Sequence, residues 1–242
     1  MTAPTPQDLP ANLGYDDDQN LPEPDDIAEA HYSAFELDFM ISLRETEAGV
    51  ITRKQLGLIE LPEDAADYVR SAVASGLFAR RKVEGTDGKW ALNAEGQVIA
   101  STLTSADRWL GFALMQGDAL HPAYAVKADE SVLLLDHEEL DTFSIRALTG
   151  PSVLPDALAT IAYSFLSERG GRTVSLRRTD ASNPEIQVQL MLHTDEDGTW
   201  KLGHEPVKDD GNLTITPMSP EDVPALLTAF WESGASAPLT ES

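Results

Sequence analysis

Between Leu120 and Leu166 three short apolar runs follow one another and end in a helical pattern, and this order constrains the fold more than any other feature of the chain. Ala123-Tyr-Ala-Val126, Ser131-Val-Leu-Leu-Leu135 and Thr142-Phe-Ser-Ile-Arg-Ala-Leu148 are β-prone and separated by polar turns, so they read as adjacent strands. Pro155 then opens a segment in which Leu158, Ile161, Ala162 and Phe165 recur at helical spacing. A helix with one apolar stripe, arriving after strands, must cover a sheet.

Phe35, Phe39 and Leu43 follow at i+4, predicting a helix from about Asp25 that Gly49 ends. Val50 to Glu60 reads as a short turn-like or helical piece. Pro62 starts a second helix, with Ala65, Val69, Ala72 and Val73 on one side and Gly76 as its stop. Leu77 to Val83, a turn at 85–88 and Lys89 to Leu92 predict a hairpin. Further strands are expected at Arg108 to Met115, Thr173 to Arg177, Glu185 to His193, Thr199 to Leu202 and Leu213 to Thr216, with Gly117-Asp118 and Asp195 to Gly198 as turns. Ile186, Val188, Leu190 and Leu192 alternate strictly, which puts Gln187, Gln189, Met191 and His193 on the opposite face. Pro220 opens a last helix through Val223, Leu226, Leu227, Phe230 and Trp231. The fold class is α+β, a central, mostly antiparallel sheet with flanking helices. Its body is expected to be single and to span 25–233, helical with a wing-like hairpin over 25–105 and sheet-rich over 106–233. Strands followed by a helix in the second half echo the stretch from Arg108 to Leu166 in pattern, though not in residue identity.

Charge sets the cellular context. Of the net −24, ten acidic residues and no Lys or Arg precede Arg44, and six acidic residues and no base follow Lys208. Residues 1–24, rich in Pro and Asp and poor in large apolar side chains, are expected to be a disordered acidic tail, and 234–242 to fray. An acidic field repels phosphate backbones and anionic lipid, so nucleic acid and membrane are disfavoured partners. The chain has no cysteine, its N-terminus has no basic and apolar leader, and its apolar runs are too short to span a bilayer; a cytoplasmic setting is expected.

No phosphate-cradling glycine loop or G-x-S-x-G elbow is present, and the five histidines form no H-x-H or H-x-x-x-H pair. Asp136-His137-Glu138-Glu139 reads as a solvated strand end, and Asp195-Glu196-Asp197-Gly198 as a turn that lacks the closing Glu of a calcium loop. Arg172, Arg177 and Arg178 form the most basic cluster of the second half; a charged β-edge is preferred over an anion grip. The chain is expected to be no enzyme, and no cofactor or metal is expected. Another protein is the expected partner. By position and side-chain type the candidate partner-binding residues are Gly117, Asp118 and His121 at a turn and Phe230 and Trp231 on the last helix, though the apolar spacing of the latter two favours core packing.

Two alternatives keep nucleic acid in view. Helix, helix and hairpin is the order of a winged helix, in which Arg80, Arg81 and Lys82 would contact DNA; the preceding helix nevertheless carries Glu63, Asp64 and Asp67 against Arg70. An acidic DNA mimic is the other.

The closing segment Gly211-Asn-Leu-Thr-Ile-Thr-Pro-Met-Ser-Pro-Glu-Asp-Val-Pro-Ala-Leu-Leu227, a strand running through Thr-Pro into a helix, resembles the end of the EspG family, cytosolic chaperones of type VII (ESX) secretion in actinobacteria. Ala65 to Leu77 and the strand pair from Ala125 to Leu148 fit the same layout, from Phe35 to Trp231 overall. The resemblance implies an α/β body with quasi-twofold halves that recognises the helical tip of a small secreted protein pair and has no catalytic residues. The acidic N-terminal extension and the Arg80 to Leu92 hairpin depart from that layout.

Overall fold

The computed structural model describes residues 29–59, 61–86, 89–148, 150, 153–207 and 211–237. The tail expected over 1–24, the helix start at Asp25, the hairpin turn at Asp87-Gly88 and residues 238–242 lie outside the described residues. Among the described residues six helices flank a nine-stranded, mostly antiparallel sheet, so the α+β expectation holds. The strand order is β1-β7-β6-β5-β4-β8-β9-β10-β11, and β2-β3 forms a separate two-stranded sheet. The strands are β1 (Ala30–Ser33), β2 (Val83–Thr86), β3 (Lys89–Leu92), β4 (Arg108–Gln116), β5 (Ala119–Ala128), β6 (Ser131–Glu138), β7 (Thr142–Leu148), β8 (Arg172–Asp180), β9 (Gln187–Thr194), β10 (Trp200–Val207) and β11 (Leu213–Pro217). The chain divides into two compact units. One comprises residues up to Asp107 together with Val126–Ala147, the other Arg108–Ala125 and residues from Leu148 onward.

In the first unit the single helix expected from Asp25 to Gly49 is instead a strand and two helices. β1 pairs antiparallel with β7, Tyr32 opposite Phe143. It stops at Ser33 because Ser33 and Glu36 form a capping box: Glu36 N donates to Ser33 Oγ (3.3 Å), and Ser33 N donates to Glu36 Oε2 (2.8 Å). α1 (Ala34–Ser42) follows, then Thr46 caps α2 (Glu47–Leu56) by accepting from Gly49 N at 3.0 Å. Gly49 thus lies inside a helix. An added Cβ would come within 2.9 Å of Ile41 Cγ2, so this glycine serves close packing rather than termination. The helix expected to stop at Gly76, α3 (Glu63–Ala79), runs one turn further, which shortens the hairpin to β2 and β3. α4 (Ala94–Ser105) had no helical expectation. It is buried nearly all round, and its buried Thr102 and Thr104 donate to Val98 O and Ala100 O in their own helix.

In the second unit the strands β4-β8-β9-β10-β11, with most of β5 beside β4, lie under two helices, α5 (Val153–Glu168) and α6 (Val223–Ser233). Alternation along β8 sends Val174 and Leu176 to the helices' side, opposite Leu192 and Leu190 of β9, and all four are buried. Neither helix has a basic residue in its own last turn. The sheet supplies the missing cations. Arg172 Nη1 donates to Phe165 O (2.7 Å) at the end of α5, while Arg178 Nη1 donates to Phe230 O (2.6 Å) and Trp231 O (2.7 Å) at the end of α6, joined there by Arg108 Nη1 (2.8 Å to Trp231 O). The expected charged edge is therefore corrected. β8 lies mid-sheet, and Arg172 and Arg178 are buried helix caps.

Asp180 holds this cluster in place. It accepts from Arg178 Nε and Nη2 (both 2.9 Å) and from Arg108 Nε (3.0 Å). Burial is the largest single influence and pushes its carboxyl up, but the hydrogen bonds and charges of Arg178 and Arg108 together outweigh it, and the carboxyl sits below its ordinary range. A depressed folded pKa gives stability that is present above the unfolded value, about 3.9, and is lost as pH falls through the folded one. The urea midpoint is expected to drop on acidification below about pH 4, and Asp180→Asn to flatten that limb. An unchanged slope in the variant would assign acid sensitivity elsewhere.

Candidate functional site

With the two helices on one side, the other side of the second unit's sheet can be followed residue by residue. Pairing registers set Ala113, Ser175, Met191, Gly203 and Ile215 in one row across β4, β8, β9, β10 and β11. Met115, Thr173, His193, Lys201 and Pro217 form the next. Ile215 is 44% and Met115 39% exposed, and Met191 is partly exposed, while Leu190 and Leu192, on the helices' side of the same strand as Met191, are 0%. A sheet face in a globular domain is ordinarily packed against another layer. This one retains accessible apolar side chains.

Its middle is low because of Gly203. A Cβ there would come within 3.1 Å of Met191 Cε and 3.2 Å of Ile215 Cδ1, so the two side chains close over the glycine. Methionine adapts its shape to what it contacts, and such surfaces suit protein recognition. Polar groups border the row. Thr173 Oγ1 and His193 Nδ1 are 2.8 Å apart, His193 Nε2 lies 3.4 Å from Asp195 Oδ1, and Lys201 Nζ 2.5 Å from Asp195 Oδ2. Exposed Arg177 and half-buried Gln189, directly opposite each other, border the other side. A hydroxyl, an imidazole and a carboxylate in series are the parts of a nucleophile relay. Here the carboxylate is also bound by Lys201, and Thr173 and His193 are paired across β8 and β9 with Asp195 just past the end of β9, where they act as a cross-strand polar rim. Among the described residues no group of three or more His, Asp or Glu side chains could hold a metal ion.

Gly117 and Asp118 of the β4–β5 turn and His121 near the start of β5 are exposed at the β4–β5 tip, beside Met115 and Leu120, which is 57% exposed. Phe230 and Trp231 are 1% and 3% exposed in α6, Trp231 beneath the Arg108 guanidinium at 5.0 Å. Rings so buried pack the core and offer a partner no surface. Met115, Met191 and Ile215 were missed as site residues. The available signal was a methionine on the polar face of an alternating strand.

The basic triplet of the winged-helix alternative is largely occupied within the first unit. Arg80 pairs with Glu36 and donates to His31 O (3.3 Å), Lys82 pairs with Glu95, and both cations stand near the Tyr32 ring, at 5.7 and 5.2 Å. Tyr32 is buried and donates to Glu95 Oε1 (2.7 Å); burial first, then this bond, raises its hydroxyl's pKa far above the usual range. Arg81 is exposed at φ 58°. Two grooves open elsewhere, of about 350 Å³ between α1 and α3 and about 450 Å³ beside Tyr163 of α5 and Pro224 of α6. No helix of the described residues is long and apolar enough to cross a membrane.

No family model matches the sequence, and no curated protein matches it. Among solved structures the chain is similar to the type VII secretion system chaperone EspG5 of Mycobacterium tuberculosis, determined in complex with a PE25-PPE41 dimer. The match covers 89% of this chain and 99% of that one, with a TM-score of 0.51 and 9% sequence identity, and it is a likeness of fold.

Proposed function

We propose that this chain is a non-enzymatic, cytosolic protein-binding adaptor or chaperone of EspG type, which holds a small helical pair destined for type VII secretion. The observation that carries the reading is the fold likeness, over nearly the full length of both chains, to a chaperone solved holding a protein dimer. The sheet face left accessible among the described residues and the β4–β5 tip support it, since both present exposed apolar side chains beside polar ones. A helix lying along the row from Ala113 to Ile215 would meet Met191 and Ile215 with its apolar stripe, and its flanking carboxylates would meet Arg177 on one side and Lys201 on the other.

Co-expression with each small helical protein pair encoded in the same genome tests the reading. One pair is expected to co-purify through size exclusion as a stable complex. Failure of every pair to be retained, with duplex DNA retained at low salt, would overturn it in favour of the winged-helix alternative.

A further inference from the structure

β11 ends the second unit's side of the sheet, and among the described residues no strand lies beside its outer edge. Which of its backbone groups face outward follows from the pairing with β10. Met218 N donates to Trp200 O (3.2 Å), so in the alternation of an antiparallel ladder Leu202/Thr216 and His204/Thr214 are bonded pairs and Gly203/Ile215 is not. The N–H and C=O of Ile215 therefore point away from β10, and among the described residues nothing bonds them. Edge strands are ordinarily guarded by charge, proline or a bulge. Here the guards stand only at the ends, a register shift between His204 and Val207 at one and Pro217 at the other. Between them β11 reads Leu213-Thr-Ile-Thr216, without a charge, in a chain of net charge −24. Ile215 is 44% exposed and Val207, opposite Leu213, 48%. Thr216 Oγ1 is buried and has no hydrogen-bond partner among the described residues.

We infer that this edge pairs with β11 of a second copy of the chain, antiparallel and centred on Ile215. The strand's own sequence selects this occupant. Leu-Thr-Ile-Thr-Pro reads nearly alike in both directions, so a twofold axis at Ile215 sets Ile215 opposite Ile215, Thr214 opposite Thr216 and Leu213 opposite Pro217. Ile215 N–H of each copy then donates to Ile215 O of the other, and the two outward groups close one bonded pair. Beside it the Thr214/Thr216 pairs are of the non-bonded kind, whose side chains stand closest, and threonine pairs across strands are favourable. Thr214 Oγ1 already donates to Pro206 O (2.9 Å), which leaves its lone pairs to accept from Thr216 Oγ1 of the other copy. The axis is perpendicular to the sheet, so the two open rows that end at Ile215 lie on one side and run on as one. Each copy uses up its β11 edge, and the contact closes at two copies. Five strand residues a side fall well below the roughly 20–30 a side of a standard interface, and like net charges oppose the approach. The dimer is therefore weak, and salt strengthens it by screening.

Sedimentation velocity of the full chain over about a hundredfold range of concentration reads the association, and is expected to show a monomer–dimer equilibrium that shifts toward dimer on raising salt. Ile215→Lys sets two like charges opposite each other at the axis while making the chain less acidic overall, and is expected to weaken the dimer by about tenfold or more. Because the chain has no native cysteine, Ile215→Cys reports the register. Bonded pairs stand about 5.5 Å apart at Cα, within disulfide reach. Under mild oxidation this variant is expected to join two chains about tenfold faster or more than Met115→Cys, a position of similar exposure (39%) on β4. Thermal melting of each reduced variant precedes the comparison; should Ile215→Lys melt early, the crosslinking rates alone decide. A chain that stays monomeric throughout, a dimer that folded Ile215→Lys leaves unchanged, or equal rates for the two cysteine variants would overturn the inference.

Discussion

Arg178→Ala is expected to cost about 3–5 kcal/mol of stability, the range for breaking a buried ion pair by removing one partner. The side chain is 4% exposed, and it donates four hydrogen bonds, two to Asp180 and two to last-turn carbonyls of α6. Truncation leaves the Phe230 carbonyl buried without this donor, while Arg108 continues to serve Trp231 O and Asp180. For a chain of this length the loss corresponds to roughly 6–20 °C in melting temperature. Arg178→Lys should fall between, because an ammonium keeps the charge but cannot present the fork that grips Asp180 with two nitrogens while the third reaches the helix. Urea denaturation of the three proteins checks the order. A loss below about 1 kcal/mol for Arg178→Ala would mean that α6 is held by its apolar face alone, through Val223, Leu226, Leu227, Phe230 and Trp231.

The arginine also shows what a sequence can and cannot display. That β8 and β9 are strands was legible, because alternation has a period of two and survives any tertiary context. Whether Arg172 and Arg178 guard an edge or cap helices depends on strand order, and that order is set by pairings distant in sequence, such as Leu110 opposite Arg178. The split of the first helix was partly legible. Ser33-Ala-Phe-Glu36 is a capping-box sequence lying inside an apolar periodicity that hid it, and Gly49 reads as a stop until Ile41 is seen against it. α4 escaped because a helix buried all round has no polar face to give it a period. Of the candidate site, the tip at Gly117 and Asp118 was visible as a turn. The sheet face was not, since a strand's polar side is assigned to solvent by default, and only the burial of its neighbours shows Met191 and Ile215 in one accessible row.

That row makes the second large effect specific. Met191→Glu is expected to reduce capture of the proposed helical pair by about 100-fold or more while leaving the melting temperature nearly unchanged. Met191 sits at the centre of the row, between Ser175 and Gly203, where hot-spot residues of an interface concentrate. A carboxylate placed there would be desolvated by a docked apolar helix without a partner to compensate it, a penalty of several kcal/mol; 2.7 kcal/mol already corresponds to about 100-fold in affinity. In the unbound protein the same carboxylate points to water, so folding is little affected. The adjacent residue gives the converse. Leu192 is 0% exposed under the helices, and Leu192→Ala should cost about 2–5 kcal/mol of stability without touching the open face. Measured side by side by thermal melting and by retention of the co-purified pair, the two substitutions separate binding from folding at neighbouring positions of one strand. Full retention by Met191→Glu, with loss on Asp118→Arg, would move the contact from the sheet face to the β4–β5 tip, where Met115, Leu120 and His121 surround the turn.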